Sequence, residues 1–368
     1  MARPPAIRSR PARARHSAPA IALLVLSACA RHPVPAAALT RADDFACRQV
    51  VPAPPRPVQW ITTADVASQP ALSRWCETVG AVYLQPQPAV EHTAPIDRIA
   101  IVSWNIHEGG GDVDDFIRRL RAGAFTSGEP VDQFVLLLQE ARRRDATVPP
   151  RIPPGYPSAG AIAPRRDSLD ANVRRFAEQG LAVLYAPSMR NGREPEDRGN
   201  LILSTLTLRD PRIIELPLER QRRVSPAIAV EGRTSAGRAW HLDLADVHLD
   251  TALALGHGGP FAARRRQAAA LITALAPSLD KAAADRVFVV AGDFNTWMGS
   301  GEAAIRLLSE ALPDTPAVDA APTWRGPLGL HATLDHVFIR GGTSGATVTR
   351  LSSRFGSDHY PLLAVLRF

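Results

Sequence analysis

The feature of this sequence that most limits its fold is a series of short apolar runs after residue 98. Each run has the length of a β-strand, and loop segments separate it from the next. The eleven predicted strands are 99–104, 134–139, 181–185, 201–206, 213–216, 227–230, 240–248, 287–291, 334–339, 347–351 and 362–366. So many strands with few helices favour an α+β fold, a sandwich of two packed sheets with helices outside.

Few helices are predicted between and before these strands. One covers 262–275 and stops near Pro277, and a second covers 301–312, again closed by a proline. A short helix is expected over 71–82. Arginines alternate with acidic residues over 165–198, which indicates a solvated surface insert.

The first thirty residues predict a secretory signal. Residues 1–28 hold five arginines and no acidic residue, and the apolar run 21–26 is too short to span a bilayer. Those arginines supply most of the net charge of +7, so the charge alone indicates little about partners. Leu26-Ser27-Ala28-Cys29 resembles the lipobox of bacterial lipoproteins, a family in which the cysteine is acylated. We expect a signal peptide over 1–28 and a lipid anchor on Cys29 in the bacterial envelope, with ordinary signal cleavage as the alternative.

The two remaining cysteines, Cys47 and Cys76, are expected to form a disulfide, because an exported compartment is oxidising. Cys47 lies in the stretch 30–59, which is rich in proline and alanine and typical of an extended tether, and Cys76 lies in the expected short helix. The predicted organisation is therefore a tether and small disulfide-bearing segment over 29–95, followed by a catalytic domain over 96–368.

Absent motifs exclude several enzyme classes. Lys281 is the only lysine, so a P-loop lysine or a Schiff-base lysine has almost no position to occupy. The sequence contains neither H-E-x-x-H nor G-x-S-x-G, which excludes zincins and α/β-hydrolases.

Several predicted strands end in polar residues that suit catalysis. They are Asn105, Glu140, His248, Asp293, Asn295, Asp335, Asp358 and His359. A carboxylate that ends an apolar strand needs a partner, because burying it unpaired is costly. Oxygen ligands suit Mg²⁺, Mn²⁺ or Ca²⁺ better than zinc, and nearby histidines can transfer protons near neutral pH. The pattern indicates metal-assisted hydrolysis of a phosphate ester.

At these positions the sequence resembles the endonuclease/exonuclease/phosphatase superfamily, which has the deoxyribonuclease I-like fold. Six motifs stand in the family's order: Ser103-Trp104-Asn105, Leu138-Gln139-Glu140, Asp246-Val247-His248-Leu249, Gly292-Asp293-Phe294-Asn295, Leu334-Asp335-His336 and Ser357-Asp358-His359. The resemblance implies a four-layer sandwich, in which helices flank two packed and mainly antiparallel sheets.

The resemblance also implies a divalent metal site. Glu140 would be the principal ligand, with Asn105 beside it and Asp358 helping to hold the ion. Mg²⁺ is the expected ion, with Mn²⁺ or Ca²⁺ as alternatives.

The same resemblance assigns the catalytic roles. His359, oriented by Asp335, would act as general base on the attacking water or would stabilise the phosphorane. Asp293 and Asn295 would position the nucleophile and a phosphoryl oxygen. His248 would hold the scissile phosphate or protonate the leaving oxygen.

The substrate expected from sequence is a phosphodiester, with nucleic acid favoured over phospholipid. Arg142 and Arg222 are the arginines expected to meet its phosphates. Relatives that cut abasic sites carry an acid two residues after the motif asparagine, where this chain has His107, so DNA repair is disfavoured. Glu108 is interpreted as a solvated loop residue.

Three other functions remain open from sequence. A phospholipid or sphingolipid head-group phosphodiesterase would need an exposed apolar hairpin near the site, and the sequence does not identify one. A phosphatase for small phosphoesters is the next alternative, and a catalytically silent scaffold lipoprotein is the non-enzyme alternative. No obligate protein partner is evident in the sequence.

Overall fold

Sixteen strands and five helices are described in the computed structural model. The description covers residues 46–54, 57–62, 66–160, 172–251, 259–279, 285–318 and 321–368. The strands are β1 (Val50–Val51), β2 (Gln59–Thr62), β3 (Val82–Gln85), β4 (Arg98–Asn105), β5 (Phe134–Arg143), β6 (Ala182–Arg190), β7 (Asp197–Ser204), β8 (Arg209–Glu215), β9 (Val224–Arg233), β10 (Ala239–His248), β11 (Arg286–Asp293), β12 (Trp324–Arg325), β13 (His331–Ala332), β14 (Asp335–Gly341), β15 (Gly345–Arg350) and β16 (Leu362–Arg367). The helices are α1 (Gln69–Cys76), α2 (Val113–Arg121), α3 (Arg175–Glu178), α4 (Gly259–Leu279) and α5 (Ala303–Ala311).

Two sheets share these strands. The first has the order β1-β3-β6-β7-β5-β4-β16-β15 and the second the order β14-β11-β10-β9-β8-β2, while β12 and β13 form a separate hairpin. Most neighbouring strands are antiparallel, but four pairs are parallel: β4 with β5, β10 with β11, β1 with β3 and β2 with β8. All eleven strands predicted from the sequence are confirmed, each extended at one or both ends or shifted by a few residues.

Buried apolar side chains form three large clusters. One cluster lies between the two sheets and includes Ile101 and Leu137 of the first sheet and Leu242 and Val289 of the second. A second cluster packs α2 on the outer face of the first sheet, and a third packs α4 and α5 on the outer face of the second. The four-layer sandwich with two mixed, mainly antiparallel sheets is therefore confirmed.

The helices differ from expectation in two ways. Helix α4 continues through Pro277 to Leu279 rather than stopping before it. Helix α2 was not predicted; its N-cap Asp112 accepts a hydrogen bond from Asp115 N at 2.9 Å, and it buries Phe116 against the first sheet. Its basic last turn obscures this apolar face in the sequence. None of the described helices is long and apolar enough to cross a membrane.

The proline-rich stretch before residue 96 adds strands to both sheets. Strands β1 and β2 lie at sheet edges, where a neighbouring proline removes no ladder hydrogen bond. Strand β3 pairs with β6 inside the first sheet. The expected short helix is present as α1, but it ends at Cys76, and Val82 begins β3 instead. The predicted disulfide between Cys47 and Cys76 is present. The predicted signal peptide and Cys29 lie outside the described residues.

The interpretation of 165–198 as a solvated insert is wrong for its second half. Residues 182–198 belong largely to β6 and β7, and Arg190 and Asp197 are fully buried. The charges pair internally: Asp197 receives hydrogen bonds from the Arg143 guanidinium, with Nη2 at 2.5 Å. The charged residues of β6 and β7, which are Arg190, Asp197 and Arg198, are therefore buried in the sheet rather than exposed to solvent.

Candidate active site

The site lies where strand ends from both sheets meet. Asn105 ends β4 and is opposite Gln139 of the parallel strand β5. His248 ends β10 and is opposite Asp293, which ends the parallel strand β11. A Cβ atom on Gly292 would lie 1.8 Å from the carbonyl oxygen of Val247, so only glycine permits this close approach of β10 and β11. Parallel strands thus deliver the polar residues that follow them to one end of the sandwich.

Asp293 is the carboxylate that most site residues contact. Its Oδ2 accepts a hydrogen bond from Asn105 Nδ2 at 2.9 Å, and it lies 3.6 Å from His248 Nε2 and 3.9 Å from His359 Nε2. Asp293 is 2% exposed. Burial raises the pKa of its carboxyl to about 7, although the charge of His359 acts in the opposite direction. The group is therefore able to exchange a proton near neutral pH.

His359 forms a hydrogen-bonded pair with Asp335. Its Nδ1 lies 2.8 Å from Asp335 Oδ2, and Asp335 is held in turn by its own N–H, which donates to Thr323 Oγ1 at 3.0 Å. Burial alone would lower the pKa of His359, but the charge and hydrogen bond of Asp335 outweigh it and raise this pKa to about 10. His359 is therefore a cation at neutral pH, with Nε2 directed towards Asp293.

The pKa of His248 is shifted in the opposite direction to that of His359. Burial, followed by the charge of Arg223, holds the pKa of its imidazole well below the ordinary value. Arg223 Nη1 lies 3.0 Å from His248 Nδ1. Since a guanidinium can only donate, Nδ1 is the acceptor and the ring proton is on Nε2. His248 is therefore a neutral hydrogen-bond donor that faces Asp293 and Glu140.

Glu140 interrupts the regular pairing of β5. The register between β5 and β7 shifts between Leu138 and Ala141, and Glu140 has a φ of 59°. This bulge turns its carboxylate into the site, where Oε1 is 3.9 Å from His248 Nε2 and Oε2 accepts a hydrogen bond from Glu108 N at 3.1 Å. Arg198 Nη1 lies 4.0 Å from Glu140 and pairs closely with Glu108.

Asp358 lies at the outer side of the site. Its Oδ1 is 3.1 Å from His107 Nδ1, and its Oδ2 accepts a hydrogen bond from Trp324 Nε1 at 2.9 Å. Burial would raise the pKa of this carboxyl, but the hydrogen bond with His107 and the charge of His359 lower it to about 2. Asp358 therefore remains ionised, and the same hydrogen bond raises the pKa of His107.

Asn295 completes the loop after β11. It has a φ of 52°, its N–H donates to Asp293 Oδ1 at 2.8 Å, and its Nδ2 donates to the carbonyl oxygen of Leu249 at 3.0 Å. These bonds fix the loop that orients Asp293. The Asn295 side chain thereby joins this loop to Leu249, the residue that follows His248.

The donor set fits a divalent cation with hard ligands. Glu140, Asp358 and the Asn105 amide oxygen offer oxygen atoms, and Asn105 Oδ1 accepts only the His107 N–H, at 2.9 Å, among the described contacts. Asp293, Asp335 and His359 form a second grouping, whose ligand atoms all lie within 4.8 Å of one another. In the described part of the chain, buried Asp335 Oδ1 and His248 Nε2 have no hydrogen-bond partner. Polar atoms left unpaired at such depth indicate a place for a ligand.

The two arginines expected to meet substrate, Arg142 and Arg222, are both buried, and each lies beside a glutamate. Arg142 is 6% exposed, with Nη1 3.8 Å from Glu196. Arg222 is not brought to the site, since Nε and Nη2 each donate to a different oxygen of Glu215 at 2.8 Å and Nη1 donates to the carbonyl oxygen of Pro187 at 2.8 Å. The next residue, Arg223, is the one that contacts His248.

Sequence reasoning gave no role in the site to four residues that lie there: Glu108, His107, Arg198 and Trp324. Glu108 is buried rather than solvated, and it links Arg198 to Glu140. Trp324 and His107 hold Asp358. The sequence offers no local signal for these contacts, because each joins segments far apart in the chain.

One family model matches most of the chain. The model of the Endonuclease/Exonuclease/phosphatase family matches residues 102–359. No curated protein sequence matches the chain. Among solved structures, truncated Caenorhabditis elegans TDP2 is 15% identical, with a TM-score of 0.42, over 74% of this chain and 98% of that one.

Two bacterial structures have similar sequence identities and TM-scores to this chain. An endonuclease/exonuclease/phosphatase protein from Beutenbergia cavernae is 17% identical, with a TM-score of 0.46, over 74% of this chain and 72% of that one. Sphingomyelinase C from Streptomyces griseocarneus is 17% identical, with a TM-score of 0.44, over 73% of this chain and 99% of that one.

The pairing of His359 with Asp335 predicts the effect of Asp335→Asn. Removing the charge leaves burial as the main influence, so the pKa of His359 should fall by about 1–3. The measurement is an NMR titration of ring-labelled histidines, with the His359 signal assigned from His359→Gln. Glu231→Gln is the matched control, because Glu231 contacts His241 rather than the site. An unchanged pKa for His359 in Asp335→Asn would contradict the proposed pairing.

Proposed function

Because the chain belongs to the Endonuclease/Exonuclease/phosphatase family, whose members are phosphoester hydrolases, we propose that it is a divalent-metal-dependent phosphodiesterase. The observation that carries this proposal is the set of groups around Asp293. A buried carboxyl with a raised pKa has the imidazolium of His359 on one side and the neutral donor His248 on the other. This arrangement has the parts needed to move a proton beside a phosphate and to offset its charge.

The metal is proposed to bind on the side of Glu140 and Asn105, with Asp358 helping to hold it. Asp335 and His359 already bond to each other, which leaves that second grouping with fewer available ligand atoms. Mg²⁺ is the proposed ion, with Mn²⁺ or Ca²⁺ as alternatives. When bound, the ion would neutralise phosphate charge and polarise the phosphorus–oxygen bonds.

The chain's own residues would then move protons and hold the phosphate. Water adds to phosphorus while the bond from phosphorus to the leaving oxygen breaks. Asp293, positioned by Asn105 and the Asn295 N–H, accepts the proton from water. His248 donates a hydrogen bond from Nε2 to a phosphoryl oxygen, and protonated His359 is the group that can return a proton to the leaving oxygen.

The position of the arginines bears on the choice of substrate. The sequence favours nucleic acid because many proteins of the resembled superfamily cut it and because the strand-end rims carry arginines. The two arginines expected to meet it, Arg142 and Arg222, are buried beside acids. Exposed apolar side chains lie on the loop after β11 and on the β12–β13 hairpin, whose Trp324 bonds to Asp358, and they support the lipid alternative.

We also propose that the protein is exported and lipid-anchored in a bacterial envelope. The lipobox-like sequence before Cys29 supports this proposal, and so does the disulfide, since disulfides persist in oxidising compartments.

The metal-site proposal predicts the behaviour of Glu140→Gln on bis(p-nitrophenyl) phosphate, a soluble phosphodiester. Hydrolysis by the wild-type protein should require Mg²⁺ and stop with a chelator. Glu140→Gln should lower kcat/KM about 100-fold, which corresponds to about 3 kcal/mol of lost transition-state stabilisation. Glu231→Gln, an acid outside the site, is the control and should retain the wild-type rate.

Three results would contradict this proposal. They are hydrolysis that persists in chelator, a Glu140→Gln rate equal to that of the wild type, and no hydrolysis by a folded wild-type protein. Faster turnover of p-nitrophenyl phosphate, a monoester, than of the diester would indicate that the protein is a phosphatase rather than a phosphodiesterase.

The lipid anchor predicts that Cys29→Ala loses acylation. The wild-type protein, expressed in a bacterium supplied with labelled palmitate, should incorporate the label, and Cys29→Ala should not. Ser27→Ala keeps a small residue two positions before the cysteine and is the control that should remain labelled. A wild-type protein without label would contradict the lipoprotein proposal.

A further inference from the structure

Exposed apolar side chains are concentrated in one place. The described residues include six large hydrophobic side chains that are exposed. Four of them form what we call the apolar ridge: Trp297 at 44%, Met298 at 66%, Leu328 at 102% and Leu330 at 58% exposure. The other two, Val90 and Phe261, belong to separate segments. A cluster of this kind is typical of a binding surface rather than of a solvated one.

Two segments build the ridge. Trp297 and Met298 follow the loop after β11, and Leu328 and Leu330 lie at the tip of the β12–β13 hairpin. The rings of Trp297 and Trp324 meet edge to face with centroids 5.3 Å apart, which joins the two segments at the base of the hairpin. The tip is closed by the Gly326 N–H, which donates to the carbonyl oxygen of Leu330 at 2.9 Å.

The same hairpin is fastened to the active site. Trp324 Nε1 donates to Asp358 Oδ2 at 2.9 Å, and the Arg325 N–H donates to the carbonyl oxygen of Asp358 at 3.0 Å. Thr323, just before the hairpin, accepts a hydrogen bond from the N–H of Asp335 at 3.0 Å. A surface that engages the ridge would therefore lie directly beside the site groups.

The backbone at the hairpin tip is strained at Leu328. Leu328 has a φ of 56°, in the left-handed region that disfavours leucine, and its side chain is fully exposed. The Leu328 side chain is not buried within the described part of the chain, so packing does not offset this strain. Local strain that holds a side chain outward is a feature of ligand-contacting segments.

We propose that the apolar ridge inserts into the interface of a lipid bilayer, so that the site acts on the phosphodiester of a phospholipid head group. This inference rests on the proposed function and names its substrate class. Tryptophan, leucine and methionine side chains partition into the head-group and acyl boundary, where the indole N–H can stay hydrated.

The charge around the ridge suits the same surface. Residues 321–334 contain no acidic residue, and Arg325 and His331 of the hairpin are exposed. Arginine beside apolar side chains can meet lipid phosphates while the apolar groups are buried. The proposed anchor on Cys29 would keep the enzyme at such a membrane.

Single-stranded nucleic acid is the competing ligand for an exposed tryptophan. Bases stack on aromatic rings and follow a positively charged groove. Three of the four ridge residues, Met298, Leu328 and Leu330, are aliphatic and offer no such stacking face. The composition of the ridge therefore favours lipid over bases.

A site-specific fluorescent probe tests the insertion. The full chain carrying Cys29→Ser has no free thiol, since Cys47 and Cys76 are bonded to each other. Leu330→Cys in this background is labelled with nitrobenzoxadiazole and mixed with vesicles of phosphatidylcholine, alone or with phosphatidylglycerol. Val90→Cys, labelled in the same way, is the control at an exposed position outside the ridge.

The expected result is a blue shift and a rise in emission at position 330 on adding vesicles, with no change at position 90. No response at position 330, or equal responses at both positions, would overturn the inference. A response at position 330 to single-stranded DNA but not to vesicles would overturn it in favour of nucleic acid.

Hydrolysis of bis(p-nitrophenyl) phosphate by the wild-type protein separates this inference from the proposed function. Hydrolysis without insertion of the label would overturn the lipid inference alone. Insertion of the label without hydrolysis would support the bilayer surface and overturn the catalytic proposal.

Discussion

The hydrogen bond from Asn105 Nδ2 to Asp293 Oδ2 joins the two sheets at the end of the sandwich where the site lies. A second bond across the sheets, from Gln139 Nε2 to Asp246 Oδ1 at 2.6 Å, lies one residue before Glu140 in the chain. Burial raises the pKa of Asp246 to about 8, as it raises that of Asp293. Buried acids with raised pKa values are tolerated here because each has an amide partner in the opposite sheet. The site thus depends on the register in which the sheets pack.

Several arginines of this chain stabilise its fold from buried positions. Buried guanidinium groups pair with buried acids at Arg143–Asp197, Arg198–Glu108, Arg222–Glu215 and Arg264–Glu302. Breaking such a pair leaves an uncompensated buried charge, which commonly costs about 3–5 kcal/mol. A basic composition therefore gives little information about nucleic acid binding in this protein. The apolar ridge beside the site is the more informative surface.

The strands and the order of the site residues could be predicted because both are local in the sequence. An apolar run such as 134–139 identifies a strand by itself, and the polar residue after it identifies a strand end. The edge strands β1 and β2 could not be predicted, because proline-rich segments pair only when a sheet edge is present. Arg223 and Trp324 were missed for a similar reason: their roles come from contacts with His248 and Asp358, distant in the chain. The hairpin tip 327–330 is too short to show its exposure in sequence alone.

The proposed mechanism depends on where the metal binds, and anomalous scattering from Mn²⁺ in a crystal of the protein would locate that position. A manganese peak is expected within coordination distance of Glu140 and Asn105, with the pair of His359 and Asp335 still hydrogen-bonded. A peak among Asp293, Asp335 and His359 instead, or no peak in this part of the structure, would contradict the proposed mechanism.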